Sequence, residues 1–306
     1  MNLLPSDEQL EIISAAAEFL SERMPVENIR ANRHAESAVS HDAWREGAEM
    51  GLLTLGLPEQ HGGSGQPFDD EVLLYMELGR RLAPGPFLAG TLAARVAVRC
   101  GDQTLAQGIG SGEIRVALAI PRGGSGIRPV KGTFDLFDHP GARYALAVDR
   151  SGAALIDVAA FGEPAVVQPA DPGTRLASAT ATEVEPVHWV DSEDEWLWGR
   201  AMVLSAAFLA GLAGAATALA TEHARTREQF GKPIGVHQAI KHTCVNMEVA
   251  AEAAQAQTLF AAIAFDTGRS DALLQVLSAV HVAGQAAVDN AAAGIQIFGG
   301  MGYTFE

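Results

Sequence analysis

The chain has 306 residues, of which 37 are acidic and 21 are Lys or Arg, so its net charge at pH 7 is −16. This charge argues against a nucleic-acid or anionic-membrane surface, because both need clustered Lys and Arg. Hydrophobic residues make up 48% of the chain, which is enough for a buried core. The two cysteines, Cys100 and Cys244, form no CxxC pair. The composition therefore predicts a globular protein of the reducing cytoplasm, without a disulfide framework or a cysteine-based zinc site.

The first third, residues 1–112, is predicted to be helical. Ser6 precedes an acidic turn and an amphipathic run, a pattern typical of a capped helix start. A second helix is predicted over 42–50, with Trp44 and Met50 facing inward. Glycine and proline then break the pattern before helices resume. These later helices are predicted over 69–82 and 89–99.

Between residues 113 and 190 the hydrophobic period changes. The short apolar runs VALAI, ALAVD, AALIDV and AVVQP are separated by turns rich in Gly, Pro and Asp, which predicts a small antiparallel sheet. From Asp194 to about Ile297, long Ala-rich helices return. An order of helices, sheet and helices indicates an α+β, mainly α protein and argues against the alternation of a parallel α/β fold.

One stretch, residues 201–220, is long enough to span a bilayer and carries no charge. Nine of its twenty residues are alanine and two are glycine, and no aromatic belt flanks it. Small side chains allow helices to approach closely, so we predict a buried helix of a soluble bundle and no membrane span.

The common catalytic motifs are missing from the sequence. No GxGxxG opens a helix after a strand, and GxxxxGK[ST], HExxH and GxSxG do not occur. We therefore assign no metal site and no nucleotide P-loop. The residues alone indicate an acidic helical protein with a sheet insert, and no particular reaction.

Two C-terminal segments are more specific. Residues 225–240 read RTREQFGKPIGVHQAI, and residues 294–306 read GIQIFGGMGYTFE. Together they closely resemble the C-terminal bundle of acyl-CoA dehydrogenases, flavoproteins that desaturate acyl-CoA thioesters. Three N-terminal segments are similar to the first domain of that family in order and spacing. These segments read EMGLL, LPEQHGGSG and ELGRRLAP, and begin at Glu49, Leu57 and Glu77.

The resemblance covers nearly the whole chain and implies the acyl-CoA dehydrogenase fold. Its expected parts are an N-terminal helical domain over 1–112, a small antiparallel β domain over 113–190 and a C-terminal four-helix bundle over 191–306. In this arrangement the uncharged stretch is the buried opening helix of the bundle.

The resemblance also implies FAD, bound across a subunit interface with its pyrophosphate and adenine against the bundle of the neighbouring chain. A guanidinium such as Arg227 suits a pyrophosphate, and Phe230 would supply an apolar wall. At Gly299 and Gly300 the missing side chains would let backbone N–H groups approach the cofactor. A plain surface role for Arg227 and a helix stop at the glycines remain open. The complete implied set is Arg227, Gln229, Phe230, Gln238, Gln296, Gly299 and Gly300.

The sheet region departs from the family pattern. There the family carries a Thr/Ser-bearing strand motif and a Trp-x-Ser/Thr motif that hold the flavin ring. Here the strand beginning at Val116 reads VALAIPRGGSG, and no Trp-x-Ser/Thr element is recognisable. Ser125 and Thr133 are poor substitutes. The sequence therefore predicts that this chain lacks a complete flavin-ring site of its own.

The catalytic base is the second departure. The reaction needs a carboxylate to remove the weakly acidic α-proton of the thioester. The family places it on the opening helix of the bundle or beyond the GGxGY element. Counting back from Phe230, the first place falls at Ala201, and the second lies beyond Glu306. Glu195 is expected to be a solvated charge at a helix start. We assign no catalytic residue to this chain.

Short chains of this family without a base resemble one subunit of actinobacterial heteromeric α2β2 enzymes, which often act on CoA thioesters of steroid side chains or rings. Our leading interpretation is that this chain is the degenerate, non-catalytic subunit of such an enzyme. It implies an acyl-CoA substrate, a second acyl-CoA dehydrogenase-like chain and an electron-transfer flavoprotein as acceptor. One alternative is a self-sufficient homo-oligomer with its base in a C-terminal tail. Another is a non-enzymatic assembly protein, against which the presence of Arg227, Gln238 and Gln296 argues.

Overall fold

The computed structural model of the protein describes residues 3–304. Helices occupy both ends of the chain, and one eight-stranded sheet lies between them in sequence. The chain divides into two compact units. One unit comprises Met1–Ala17, Val72–Leu82 and Met202–Glu306, and the other comprises Glu18–Glu71 and Ala83–Ala201. The division by residue range into 1–112, 113–190 and 191–306 stays a prediction.

The helices predicted over 42–50, 69–82 and 89–99 begin and end within two residues of those bounds, whereas the helices at Val26–Ala31 and Gln103–Gly110 were not predicted individually. The described helices are α1 (Asp7–Arg23), α2 (Val26–Ala31), α3 (His41–Glu49), α4 (Phe68–Arg80), α5 (Phe87–Arg99), α6 (Gln103–Gly110), α7 (Leu197–Thr226), α8 (Gln238–Asp266) and α9 (Ala272–Phe298). The start of α1 is capped as predicted. Ser6 Oγ accepts a hydrogen bond from the Gln9 N–H at 3.2 Å, and Gln9 Oε1 accepts one from the Ser6 N–H at 2.9 Å.

One inward residue was predicted wrongly. Trp44 is buried in α3, but Met50 is 47% exposed. Met50 follows Trp44 by six residues, which places it about 120° away around the helix from the buried face.

The sheet is mixed, whereas the sequence predicted an antiparallel one. Its strands are β1 (Val116–Pro121), β2 (Gly126–Ile127), β3 (Val130–Phe137), β4 (Tyr144–Asp149), β5 (Gly152–Asp157), β6 (Ala165–Val167), β7 (Leu176–Val184) and β8 (His188–Asp191), in the spatial order β6-β7-β3-β1-β4-β5-β8 with β2 on β3. β1 pairs antiparallel with β3 on one edge and parallel with β4 on the other. The four predicted apolar runs form β1, β4, β5 and β6. β3 and β7 were missed because small and polar residues weaken their apolar pattern.

The Ala-rich helix α7 forms protein core, as predicted. Val203, Leu204 and Ala207 have no exposed surface. A Cβ atom added at Gly211 would lie 1.8 Å from the Met76 carbonyl oxygen, so the backbones of α4 and α7 are in direct contact. By length and composition two helical stretches could cross a membrane, α7 and Ala272–Tyr303. Burial against neighbouring helices accounts for the apolar character of α7.

A buried asparagine connects the three long C-terminal helices. Asn290 on α9 donates from Nδ2 to Thr217 Oγ1 of α7 at 3.0 Å and to the Met247 carbonyl of α8 at 2.8 Å. Asn290 is 2% exposed. A buried amide is stable only with its partners in place, so this network fixes the relative register of the helix ends that carry the candidate site.

Candidate functional site

A two-residue hairpin follows α7. Its strands are β9 (Glu228–Gln229) and β10 (Lys232–Pro233), and its tip consists of Phe230 and Gly231. Both tip residues have positive φ, 54° and 75°, as a type I′ turn requires. A bulky side chain in this region is strained, yet Phe230 is 98% exposed. The Phe230 ring is therefore fully accessible to a ligand or another chain.

The second segment lies against the first. The His223 and Phe298 rings are stacked with centroids 4.2 Å apart, which joins the last turn of α7 to the last residue of α9. Beneath them is one apolar cluster, comprising Ala220, Ala224, Met247 and Ile297 with Ile234, Ile240, Cys244 and Ala293 packed on it. The segment after the hairpin, the start of α8 and the end of α9 therefore share one apolar base.

The predicted cofactor residues all lie on the surface of this region. Gln238 is the first residue of α8, and Gln296 is in the last turn of α9. Gly299 follows α9 with φ of 62°, and no atom lies within 4 Å of a Cβ built at Gly299 or Gly300. No side chain therefore blocks approach to the backbone at these two positions, and the Gly299 N–H itself donates to the carbonyl oxygens of Gln296 and Ile295 at the end of α9. The exposed set is Arg227, Gln229, Phe230, Gln238, Gln296, Gly299 and Gly300.

The region is basic in a strongly acidic chain. Residues 223–242 contain four cations and one carboxylate, Glu228, and they hold two of the three lysines of the chain. Each cation is exposed. Within residues 3–304, none of the four forms an ion pair. The surface is therefore suited to an anionic ligand. The cations are Arg225, Arg227, Lys232 and Lys241.

Ser125 and Thr133, whose hydroxyls were considered for the flavin ring, form hydrogen bonds within the sheet region. Ser125 Oγ donates to the Thr133 carbonyl at 2.8 Å, and Thr133 Oγ1 lies 3.3 Å from Thr180 Oγ1. Each hydroxyl therefore has a partner within the chain.

The position of the family base carries no acid. Ala201 lies in the first turns of α7, and the helix has no carboxylate before Glu222. Its neighbour Arg200 is 8% exposed and pairs with the buried carboxylate of Glu71. Arg95 Nη2 contacts the second oxygen of Glu71 at 2.9 Å. The start of α7 is thus held by a buried ion triad of Arg95, Glu71 and Arg200.

Glu195 is ion-paired, whereas a solvated helix-start charge was expected. Its carboxylate lies 3.1 Å from Arg99 Nε and 3.9 Å from Arg95 Nη1. The side chain is only 21% exposed. The prediction missed this because both arginines lie about a hundred residues earlier in the chain. Glu306, the other carboxylate considered, lies outside the described residues.

Several residues of the region escaped sequence reasoning. His223 and Phe298 are absent from the predicted set, although they connect its two segments. Lys232 and Lys241 were also missed; their clustering in a lysine-poor chain is the signal that could have found them. In residues 3–304 no group of three or more His, Cys, Asp or Glu side chains could hold a metal ion.

Comparison with known families agrees with this geometry. Residues 196–306 match the family description "Acyl-CoA dehydrogenase, C-terminal domain", and residues 6–108 match "Acyl-CoA dehydrogenase, N-terminal domain". The chain belongs to the acyl-CoA dehydrogenase family. These matches confirm the predicted family resemblance, the predicted fold class and membership of an oxidoreductase family.

Two relatives come from Mycobacterium tuberculosis. Acyl-CoA dehydrogenase FadE34 is 34% identical over 279 residues, which cover 87% of this chain. The chain spans only 38% of the length of that protein. Acyl-CoA dehydrogenase IpdE2 is 28% identical over 305 residues, covering 99% of this chain and 89% of the relative.

Solved structures share the fold. The Tcur3481-Tcur3483 steroid ACAD superposes with a TM-score of 0.84 at 24% identity, covering 97% of this chain and 88% of that one. The ChsE4-ChsE5 complex from Mycobacterium tuberculosis superposes with a TM-score of 0.81 at 23% sequence identity, and the match covers 99% of this chain and 90% of that one. PigA, solved with FAD and proline, superposes with a TM-score of 0.82 at 18% sequence identity, and the match covers 99% of this chain and 90% of that one. At these identities the likeness shows the fold alone.

Proposed function

We propose that this chain is the non-catalytic subunit of a heteromeric, FAD-dependent acyl-CoA dehydrogenase. The observation that carries the proposal is a contrast within one chain. The bundle presents an exposed hairpin with Arg227 at its base and Phe230 at its tip, whereas the base position of the family holds Ala201. Such a chain can complete the cofactor site of another subunit without removing a proton itself.

The donor set fits FAD. Arg227 would hold the pyrophosphate through charge-assisted hydrogen bonds, and Gln238 and Gln296 would donate side-chain amides. The open backbone at Gly299 and Gly300 admits close approach of the cofactor. Phe230 would cover an apolar part of the ligand. Bound FAD supplies hydride acceptance from the β-carbon of the acyl group.

The partner must supply what this chain lacks. A carboxylate has to take the α-proton, and no acidic residue of α7 lies near position 201. We infer an α2β2 assembly with a second acyl-CoA dehydrogenase-like chain. The structural neighbours that are named as the ChsE4-ChsE5 complex and as a steroid ACAD support this arrangement.

The same comparisons support a proposal for the substrate class. We propose a CoA thioester with a steroid-derived acyl group, because one neighbour is named as a steroid ACAD. Electrons would leave through an electron-transfer flavoprotein. The two free cysteines fit a cytoplasmic location.

Flavin content tests the proposal. The chain expressed alone should be colourless or poorly soluble, and co-expression with the partner chain should give a yellow heterotetramer with fewer than one FAD per polypeptide. A yellow homotetramer with one FAD per chain would instead support a self-sufficient enzyme. A soluble complex that never binds flavin would support an assembly protein.

Arg227→Ala sharpens the test in the assembled complex. A charge-assisted contact contributes roughly 1.5–3 kcal/mol, so flavin retention after dialysis should fall about tenfold or more. Gly300→Val should act likewise by blocking backbone approach. Arg269→Ala is the matched control, since it removes an exposed guanidinium beyond the other end of α8, where it is paired with Asp271, and should leave flavin retention unchanged. Full flavin occupancy in both test variants would refute this placement of the cofactor.

A further inference from the structure

Arg115, the residue directly before β1, carries two buried donors that nothing in the chain satisfies. Its Nε and Nη2 atoms are buried and have no hydrogen-bond acceptor within residues 3–304. Its Nη1 atom donates to Ser37 Oγ at 3.3 Å, and its Cζ lies over the Trp44 ring, 5.3 Å from the centroid. The Nε/Nη2 edge is therefore the part of the guanidinium left for a ligand. Arginine binds a planar oxyanion at this edge through two parallel hydrogen bonds.

Arg115 lines a small recess, which we call the Arg115 recess. Its walls come from the segments before α3, before α5, after β3 and before β7, and Asp138 lies in the wall that follows β3. Glu36 in the first of these segments is exposed, so the recess opens to solvent. The recess has room for about one water-sized group. A ligand that meets the Arg115 edge must therefore be small.

The charges around the recess depend on the state of Asp138. Burial raises the pKa of its carboxyl to about 6, although Arg175 and Arg115 oppose this shift. In the described part of the chain Asp138 forms no ion pair within 4.0 Å. Arg175 adds positive charge but no free donor atom, because each nitrogen of its guanidinium donates to a backbone carbonyl. A neutral Asp138 therefore leaves the recess positively charged.

Three further titratable groups act on this region. Asp171 adds to the rise in the pKa of Asp138. Burial lowers the pKa of the adjacent His139, and Glu36 partly offsets that change. Both Asp138 and His139 can thus change charge near neutral pH, and a variant at Asp138 is needed to separate them.

We propose that the Arg115 recess binds one small planar oxyanion, of the size of a carboxylate group, between the Nε/Nη2 edge of Arg115 and the protonated carboxyl of Asp138. Arg115 supplies two charge-assisted hydrogen bonds, and the neutral carboxyl donates a third through its O–H. An ionised Asp138 repels the anion, so binding near neutral pH takes up one proton from solvent. The inference goes beyond the proposed function and does not depend on it.

Formate is the probe, because it is the smallest carboxylate and stays ionised at the pH values used. Thermal unfolding of the purified chain is followed by circular dichroism in increasing sodium formate, with sodium chloride keeping the ionic strength constant. The rise in stability gives the apparent affinity. Wild type should bind formate at least about tenfold more tightly at pH 5.5 than at pH 7.5. Asp138→Asn, which keeps a donor and loses the titrating charge, should bind equally at both pH values.

Arg115→Lys keeps the positive charge and loses the fork, so it should weaken formate binding about tenfold. Arg128→Lys is the matched control, since Arg128 is an exposed guanidinium 5.0 Å from the Trp189 ring centroid, and it should bind formate like wild type. Equal formate effects in wild type and Arg115→Lys, or no effect beyond that of chloride, overturn the proposal. A pH dependence that persists in Asp138→Asn assigns the proton to another group and overturns it as well.

Discussion

His223 and Phe298 form a parallel ring stack, with centroids 4.2 Å apart and planes inclined by 16°. One ring belongs to the last turns of α7 and the other ends α9, directly before Gly299. The stack therefore holds the two candidate cofactor segments together. Aromatic pairs of this kind contribute about 0.5–1.5 kcal/mol beyond their buried area.

Phe298→Ala should lower flavin affinity in the assembled complex by about threefold to tenfold, because the glycine segment loses its support. Equilibrium dialysis measures the affinity. Phe265→Ala removes a half-buried ring near the opposite end of α8 and should leave flavin affinity unchanged. Equal losses in both variants would show that the stack is merely one part of general bundle stability.

Glu195→Gln should leave kcat of the assembled complex within a few-fold of the parent. The carboxylate is engaged with Arg99 and Arg95, and the variant removes an ion pair rather than a proton acceptor. Losing the essential base would cost several orders of magnitude. Steady-state turnover at measured flavin content is the readout. A collapse at unchanged flavin would make this chain catalytic.

Gly211→Ala should reduce the free energy of unfolding by about 3 kcal/mol or more. The new methyl group would meet the Met76 carbonyl oxygen at 1.8 Å, and backbone cannot rotate away as a side chain can. Gly284→Ala is the control, since it has open space around its Cβ and should stabilise α9 by about 0.5–1 kcal/mol. Urea denaturation measures the free energy of unfolding of both variants. Equal changes in the two would contradict the close contact between α4 and α7.

Asp138 should make stability depend on pH. Burial raises the pKa of its carboxyl to about 6, and Arg175 and Arg115 only partly offset this. The native state therefore binds the proton more tightly than the unfolded state does. The stabilisation is complete below the unfolded pKa of about 4 and is lost as pH rises through about 6.

The wild-type chain should lose up to about 3 kcal/mol relative to Asp138→Asn between pH 3.5 and pH 7. Asparagine tolerates the positive φ of 54° at this position, so the variant keeps the backbone. Denaturation curves of the wild-type chain and of Asp138→Asn, measured at the same pH values, separate the contribution of Asp138 from that of the other titratable groups. A pH-independent difference would show that the carboxyl titrates normally in the fold.

Residue identity and spacing were enough to predict the family and most helices. The segments around Phe230 and Gly300 carry their chemistry locally, and the absence of an acid at Ala201 is a fact of the sequence itself. Helical periodicity likewise predicted a buried α7, because an apolar helix must find apolar neighbours.

Only the tertiary structure decided the role of Glu195, the parallel pairing of β1 with β4 and the contact of Gly211 with Met76. Each depends on groups far apart in the chain, and neither spacing nor composition specifies which distant backbone or side chain will meet. The same holds for the exposed faces of α8 and α9. Their patterns predict helices with two apolar sides, and only folding shows which side the bundle leaves exposed.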